Sequence, residues 1–487
     1  MKLFERASAK VRGRKGRAVG LAMIAGLVLP MGTVAAGVFS AAPASASVTS
    51  YASDGSTYHA VQPYRLVDTR PNSGQIGAGD TLTAGRTITF KVASSGIAPN
   101  DVPHGATAVV VNITAVAPTS VGYLTAFAAG QTVPFISTVN FIAGQTVANE
   151  ATIALGNIGD GNYGNVTIYN FTGSTDVVVD VQGYYTPHGF NHDGPFPGTL
   201  GRGAGYNAVT NVLTKAISPV RVLDTRPGSG QQGAGETLGP DSTLSFYPGT
   251  ATFPNEVAAV PDDATAVVLN VTEATSTADS YLTTWATGGS QPLASNLNFP
   301  AGKIVPNRVI VPINPVTQQV SIYNFAGNTD VVVDLDGYYS PYHNGSLYYP
   351  LVTPARIVDT RPGSGKPYSG QTLGTGTILT TNVPVDAFPP VTGYTAPSNF
   401  TGFDVNTTIT DTTGNGGYLT QYPSNAGSTP PLASDLNWSP GDIVSNANQL
   451  SSGGVPDIAI DNFNFTGNAD LVIDLYGYFG HNVGPDF

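Results

Sequence analysis

Two phrases recur three times in this sequence and enclose segments of nearly equal length. The opening phrase reads RLVDTRP, RVLDTRP and RIVDTRP, beginning at Arg65, Arg221 and Arg356. The closing phrase reads DVVVDVQGYY, DVVVDLDGYY and DLVIDLYGYF, ending at Tyr185, Tyr339 and Phe479. The enclosed segments are 121, 119 and 124 residues long. Solenoid and propeller repeats have only roughly 20 to 50 residues, so these segments are closer in size to independent domains. The sequence therefore predicts three tandem domains, each with its own core.

Alternating polarity predicts strands inside each copy. In ATAVVVNITA, Val109, Val111 and Ile113 point to one side, and β-branched residues of this kind favour strands. Similar short runs are separated by clusters of Gly, Pro, Asn and Asp, and nothing of helical period reaches three turns. We expect an all-β chain with three tandem antiparallel β-sandwich or jelly-roll-like domains after a signal peptide.

The amino-terminal segment has the features of a secretory signal peptide. A basic leader runs from Lys2 to Arg17, an apolar run follows from Ala18 to about Leu29, and Ala44-Ser45-Ala46 offers small residues for cleavage. We expect a secreted protein, extracellular or on the cell surface, with no membrane span after signal cleavage. An uncleaved membrane anchor is the alternative. The predicted divisions are signal peptide 1–46, N-terminal arm 47–63, repeat 1 at 64–187, Gly/Pro-rich linker 188–217, repeat 2 at 218–341, short linker 342–352 and repeat 3 at 353–487.

Composition narrows the choice of partners. The leader holds seven of the 20 basic residues and one of the 32 acidic residues, so the remainder has 13 basic and 31 acidic residues and a net charge of −18. An acidic chain repels phosphate backbones, which makes nucleic acid and anionic membranes unsuitable partners. Cysteine is absent, which excludes disulfides and thiol chemistry.

The recurring acids and arginines predict structural ion pairs. Asp180 lies among apolar neighbours, and a buried carboxylate needs a partner. We expect the opening and closing strands to lie side by side, with Asp180 paired to Arg65 or Arg70. By analogy Arg226 would pair with Asp334 and Arg361 with Asp474. The opening strand would place Leu66, Asp68 and Arg70 on one face, and the aspartates equivalent to Asp68 are Asp224 and Asp359.

Catalysis is the alternative for the same acids. Asp68 and Asp180 resemble the carboxylate pair of a glycosidase, but a neighbouring arginine would keep both ionised, and three equivalent sites are unusual for an enzyme. We therefore expect no enzymatic activity, no catalytic residue and no cofactor. The six histidines do not recur between copies and no EF-hand spacing is present, so no metal site is predicted, although calcium binding by a repeat stays open.

Aromatic residues four apart on a predicted strand recur in each copy. The pairs are Tyr123 with Phe127, Tyr281 with Trp285, and Tyr418 with Tyr422. At about 13 Å apart they suit stacking on successive sugar rings, whereas the alternative is packing in a sandwich core. Recurring asparagines are expected to bond turn backbone; they are Asn140, Asn298, Asn437, Asn149, Asn307 and Asn446.

The landmarks together resemble a known tandem module. LVDTRP, VVVNIT, GYLT, NLNF, YNF and DVVVDVxGYY, in that order, are similar to the module found in many secreted and surface-associated proteins of actinobacteria. This resemblance implies an extracellular structural or accessory role and assigns no activity. Two functions follow: a noncatalytic surface or extracellular-matrix protein with a structural or adhesive role, or a multivalent binder of cell-wall or other polysaccharide. The expected partners are extracellular polysaccharide or copies of the chain itself.

Overall fold

β-Strands form the framework of all three repeats in this computed structural model. The structure describes residues 55–94, 102–159, 162–188, 203–208, 219–249, 260–341, 345–382, 400–414, 416–424, 429–431, 433–452 and 459–481, and the strand backbones at 252–253 and 256–257. Residues 208 and 459 are described by their backbone alone. The predicted signal peptide at 1–46 lies outside these ranges.

Repeat 1 is a sandwich of two antiparallel sheets. Its inner sheet has the order β1-β10-β4-β7, formed by β1 (Ser56–Asp68), β10 (Ser174–Pro187), β4 (Ala108–Val116) and β7 (Val147–Ala154). Its outer sheet has the order β3-β9-β5-β6, formed by β3 (Thr87–Lys91), β9 (Tyr163–Asn170), β5 (Gly122–Ala128) and β6 (Val139–Phe141). Short strands β2 (Leu82–Thr83) and β8 (Gly156–Asn157) pair with β10 and β9. The chain crosses repeatedly between the sheets, which gives the eight-stranded double Greek key of a jelly roll.

Repeats 2 and 3 have the same strand orders. In repeat 2 the inner strands are β11 (Gly205–Ala208), β12 (Val220–Asp224), β16 (Ala266–Ala274), β19 (Val305–Pro312) and β21 (Asp330–Ser340). Its outer strands are β13 (Ser242–Phe246), β17 (Ser280–Ala286), β18 (Leu297–Phe299) and β20 (Val320–Asn324). Two further short strands, β14 (Thr252–Phe253) and β15 (Glu256–Val257), pair with each other. In repeat 3 the inner strands are β22 (Leu347–Asp359), β24 (Phe400–Thr410), β27 (Val444–Ser451) and β29 (Asp470–Gly480), and the outer strands are β23 (Thr377–Asn382), β25 (Gly417–Pro423), β26 (Leu436–Trp438) and β28 (Ala459–Asn464). The predicted all-β, antiparallel jelly-roll-like fold is confirmed.

Each sandwich encloses its own hydrophobic cluster, and a fourth cluster is shared. The first three clusters lie within 61–184, 220–335 and 347–478. The fourth cluster lies between the three inner sheets, on the face of each sheet that points away from its own sandwich core. It is rich in aromatic side chains, namely Tyr58, Tyr185, Tyr206, Tyr339, Tyr348 and Phe479. Contacts thus unite the repeats in one compact unit, and the inner strands are buried on both faces.

Each repeat begins earlier than the predicted divisions place it. Strand β1 starts at Ser56, inside the predicted arm, and β22 starts at Leu347, inside the predicted short linker. The predicted linker 188–217 contains β11, which pairs with the closing strand of repeat 2. These segments are strands because each carries a tyrosine of the shared cluster, at Tyr58, Tyr206 or Tyr348.

The early segments also connect the repeats in a cycle. Tyr58 bridges to Ala204 of the second repeat and Tyr206 bridges to Ser346 of the third. Tyr348 of the third repeat returns to Ser56 of the first. The glycine of the closing GYY or GYF makes room for each tyrosine, since a Cβ on Gly183 would lie 2.2 Å from the Tyr58 hydroxyl.

Candidate functional site: charged and aromatic residues between the repeats

A bidentate ion pair joins the opening and closing strands of each repeat. The two strands pair antiparallel in all three copies, as predicted. Arg65 Nε and Nη2 donate to the carboxylate oxygens of Asp180 at 2.8 and 3.0 Å. Arg221 pairs with Asp334 and Arg356 with Asp474 in the same way. Two parallel bonds fix the guanidinium relative to the carboxylate, so each pair fixes the register of the first strand against the last.

The predicted pairs of Arg226 with Asp334 and of Arg361 with Asp474 are wrong. Both arginines lie beyond the end of the opening strand and turn back onto the aspartate two residues earlier, as Arg70 does. Their Nε atoms donate at 2.8 Å in all three repeats, in the pairs Arg70–Asp68, Arg226–Asp224 and Arg361–Asp359.

A β-bulge explains why the first arginine of the opening phrase, and not the second, pairs with the aspartate of the closing strand. The strand register shifts between Arg65 and Val67, and the other two repeats shift at the same point. The extra residue breaks the predicted alternation, so Leu66 and Val67 are both buried. Arg65, rather than Leu66, therefore lies beside Asp68, at 3.6 Å.

The buried aspartates also bind the neighbouring repeat. Asp474 accepts the backbone N–H of Ser137 at 3.0 Å, and Asp334 accepts that of Ser434 at 3.3 Å. Asp180 accepts the backbone N–H of Ser295. Burial raises the pKa of Asp180 and of Asp474, although the arginines and these N–H groups lower it in part. The recurring carboxylates thus connect the strands of one repeat to a loop of the next.

Three asparagines continue this cyclic contact. The side-chain oxygen of Asn149 accepts the backbone N–H of Ala447, that of Asn307 accepts Glu150 N–H, and that of Asn446 accepts Arg308 N–H, at 2.8 to 3.1 Å. The predicted backbone bonds are made by these three asparagines, whose Nδ2 atoms donate to the backbone oxygens of Thr138, Asn296 and Asp435. Asn140, Asn298 and Asn437 instead donate to the side-chain hydroxyl of the serine three residues earlier.

A charged cluster lies where the three repeats meet. Arg308 is fully buried and donates to Glu150 Oε1 at 2.6 Å and to Asp404 Oδ1. Asp404 also accepts the Tyr348 hydroxyl at 3.0 Å, and Glu150 accepts the backbone N–H of Ile310 at 2.9 Å. Burial raises the pKa of Glu150 to about 7 even though Arg308 opposes the change. Repeat 1 supplies the glutamate, repeat 2 the arginine and repeat 3 the aspartate.

The predicted aromatic pairs do not form exposed platforms. Phe127, Trp285 and Tyr422 are buried, being 2%, 6% and 1% exposed. Their partners four residues earlier are half-buried and stack on a different ring: Tyr123 lies 4.6 Å from Phe171 with the planes 11° apart. The equivalent stacks are Tyr281 on Phe325 and Tyr418 on Phe465.

Each stacked pair faces the arginines of a neighbouring repeat. Between repeats 1 and 2 a cleft of about 330 Å³ is lined by Arg65, Arg70, Tyr281, Leu293 and Asn298, among others. The charges of Arg356 and Arg361 act on Tyr123 and that of Arg221 acts on Tyr418, which places the same residue types together at the other two junctions.

Sequence reasoning missed the phenylalanines on which these tyrosines stack. Phe171, Phe325 and Phe465 are 46%, 52% and 40% exposed, an unusual position for a large apolar ring that recurs three times. Their signal was the third residue of the recurring YNF phrase, which in repeat 3 reads FNF.

No family model and no curated protein matches the chain. A solved structure described as the triple jelly roll fold and turret assembly in an archaeal virus is 10% identical and covers 88% of this chain and 91% of its own, with a TM-score of 0.15. A structure of Sulfolobus turreted icosahedral virus covers the same shares at 10% identity and a TM-score of 0.14. The assignment of the jelly-roll fold rests on the strand order of the two sheets in each repeat.

The described part of the chain contains no group of three or more His, Cys, Asp or Glu side chains arranged to hold a metal ion. It likewise contains no helix with the length and apolar character that crossing a membrane requires.

Proposed function

We propose that this chain is a secreted, noncatalytic protein of the cell surface or extracellular matrix, whose three repeats form one body with a structural or adhesive role. The observation that carries the proposal is that the recurring charged residues bond each other and the neighbouring repeat. The leader sequence and the resemblance to the actinobacterial module support the location.

The same contacts argue against a glycosidase. Such an enzyme needs one protonated carboxyl group and one carboxylate that are open to substrate. Asp68 is held by Arg70, and Asp180 by Arg65 and a backbone N–H of repeat 2. Burial acts to raise the pKa of Asp68, but Arg70 and Arg65 outweigh it and the pKa falls below its usual value.

The proposal is tested with the purified chain lacking residues 1–46. We expect no turnover of glycosidase, esterase or peptidase substrates, and we expect cell fractionation to place the protein in the medium or on the cell surface. Turnover above that of a heat-denatured sample, or accumulation of the uncleaved chain in the cytosol, would overturn it.

A second candidate is a multivalent glycan binder. It is favoured by the half-exposed stacks, such as Tyr281 on Phe325, beside the guanidiniums of Arg65 and Arg70. Aromatic faces pack against sugar rings and arginines bond carboxylates, so acidic polysaccharides suit the clefts. Three weak sites on one body would bind a polymer by avidity.

Cosedimentation with peptidoglycan, chitin, cellulose and an acidic polysaccharide tests this candidate. Replacing Phe171, Phe325 and Phe465 together with alanine is expected to abolish binding, since no stack keeps its exposed ring. Val316→Ala is the control, because Val316 is an apolar side chain that is 87% exposed and takes no part in a Tyr–Phe stack. Equal binding by both variants, or binding to none of the polymers, would contradict the glycan hypothesis while leaving the scaffold hypothesis intact.

A further inference from the structure

Two carboxylates from different repeats line one small cavity. Asp336 of repeat 2 and Asp435 of repeat 3 lie at the junction of these repeats, with Tyr422, Asn448 and Gln449 beside them. The cavity has a volume of about 20 Å³, enough for one water molecule or one ion. Asp435 is buried and Asp336 is half-buried, so a small solute can reach the pair from solvent.

The other two junctions carry different residues at the equivalent positions. Between repeats 3 and 1 the Tyr476 hydroxyl lies 2.7 Å from Thr138 Oγ1, a direct hydrogen bond. Between repeats 1 and 2 the positions are held by the amides Gln182 and Asn296. Hydroxyls and amides carry hydrogen-bond donors, whereas two ionised carboxylates carry none. When both carboxylates are ionised, the junction of repeats 2 and 3 therefore lacks the hydrogen-bond donor that the other two junctions carry.

Unpartnered oxygens line the same cavity. Asn448 is 1% exposed and its Oδ1 has no hydrogen-bond partner, while its Nδ2 donates to Gln421 Oε1 at 2.7 Å. The Tyr422 hydroxyl is also buried without a partner. Asp435 Oδ2 accepts one bond, from the backbone N–H of Gln421 at 2.5 Å. Buried oxygens without partners commonly indicate an ion or water.

Burial and mutual repulsion disfavour the doubly ionised form of this pair, and a bound cation would offset both effects. Burial, and then the charges of Asp435 and Asp334, raise the pKa of Asp336 well above its usual value. Burial likewise raises the pKa of Asp435 to about 7. Arg308 offsets part of this at Asp336, but its guanidinium already bonds Glu150 and Asp404.

We propose that Asp336 and Asp435 bind a hard divalent cation, calcium in an extracellular setting, and that this ion connects repeat 2 to repeat 3. Asn448 Oδ1 is the third protein oxygen. Calcium takes 6 to 8 oxygen ligands in flexible geometry, so water completes the shell. With two carboxylates the site resembles weak extracellular calcium modules, with a Kd on the order of 10⁻⁴ to 10⁻³ M.

Terbium luminescence reports binding directly, because the ring of Tyr422 lies beside the site. We expect the full chain to sensitise Tb³⁺ emission, and we expect added Ca²⁺ to displace the bound Tb³⁺ and so to reduce the emission. The double variant Asp336→Gln with Asp435→Asn copies the amide pair of the repeat 1 and 2 junction. Asn296 already accepts the equivalent backbone N–H at 2.7 Å, so the variant keeps that bond and is expected to fold and to lose the signal.

Thermal unfolding provides the second measurement. In 10 mM CaCl₂ the full chain is expected to melt several degrees higher than in EDTA, since a ligand that binds only the folded state stabilises it. Asp442→Asn is the matched control, because Asp442 of repeat 3 is a partly exposed carboxylate that already has a cationic partner, Lys303 of repeat 2, and it is not among the residues that line the cavity. This variant should keep the calcium response. The proposal is overturned by a full chain that gives neither signal, or by a folded double variant that responds as the full chain does.

Discussion

The opening ion pairs and the central charged cluster both contain buried charges, but they neutralise them in different ways. Arg65, Arg221 and Arg356 meet their aspartates with the same geometry in all three repeats. The central cluster uses a different residue from each repeat, and the position of Arg308 is held by a glutamate in repeat 1 and by Ala447 in repeat 3.

The difference reflects what each site must satisfy. An opening pair closes a single sandwich, so every copy needs it. The central cluster lies where equivalent positions converge, and three identical charges there would repel each other in a low-dielectric environment. Divergence allows one arginine to neutralise carboxylates from two neighbours, and it also fixes which repeat occupies which position.

The largest effect is expected from removing the central cation. Arg308→Met leaves Glu150 and Asp404 buried without their cation, and breaking a buried pair in this way typically costs about 3 to 5 kcal/mol. Chemical denaturation of the variant and the parent measures the loss in free energy of unfolding.

A charge-free centre is the matched control for Arg308→Met. Adding Glu150→Gln and Asp404→Val, the latter supplying the residue found at Val110 and Val268, removes the unpaired charges. Apolar replacement of a complete buried ion network is often neutral. This variant likewise removes every unpaired charge, and the glutamine introduced at position 150 can still accept the backbone N–H of Ile310, so most of the stability should return. If Arg308→Met alone is as stable as the parent, the charged cluster does not hold the repeats together.

Arg221→Ala is expected to rank second. Asp334 is 1% exposed and would lose a bidentate partner, although the Ser434 N–H would remain. We expect a loss of about 2 to 4 kcal/mol in the free energy of unfolding, from the charge left buried. Asp334→Asn combined with Arg221→Ala should recover part of it, and no recovery would mean that the arginine acts through packing.

The sequence predicted what lies within each sandwich. Strand alternation and the two recurring phrases led to the all-β fold and to the adjacency of the opening and closing strands, because both depend on local pattern. The pairing arginine in repeats 2 and 3 was predicted wrongly, since a one-residue bulge leaves no mark in the polarity pattern and reverses which side chain faces Asp334.

Contacts between repeats were harder to predict. Strand β10 carries core valines on one face and Asp180 on the other, and nothing local shows that the second face is covered by another repeat. Asp404 stood out in place of a valine, but its partner Arg308 is 96 residues away. The recurring tyrosines of YHAV, YNAV and YYPL, at Tyr58, Tyr206 and Tyr348, were the overlooked signal.

A smaller, pH-dependent effect is expected at Glu273. This carboxylate takes the core position that Ala115 holds in repeat 1, and its Oε2 has no partner. Burial raises its pKa from 4.5 to about 7. A raised folded-state pKa gives stability that is present below pH 4.5 and is lost as the pH rises through 7.

Glu273→Gln isolates that dependence. Between pH 5 and pH 8 the parent should lose on the order of 2 kcal/mol relative to the variant, because Glu150 and the other titrating groups are common to both. Denaturation midpoints at the two pH values measure the difference. Parallel curves would show that Glu273 is solvated and does not titrate as a buried group.

The smallest effect is expected at the second arginine of the opening phrase. Arg226 has a side chain that is 30% exposed, and without it Asp224 still lies 3.7 Å from Arg221 and accepts the backbone N–H of residue 226 at 3.2 Å. Partly exposed pairs contribute about 0 to 1 kcal/mol, so Arg226→Ala should shift the denaturation midpoint far less than Arg221→Ala. Equal losses of stability in Arg226→Ala and Arg221→Ala would mean that the turn after the opening strand sets the strand register. The two arginines would then differ in their position along the strand, and the burial of Arg221 would not explain its contribution.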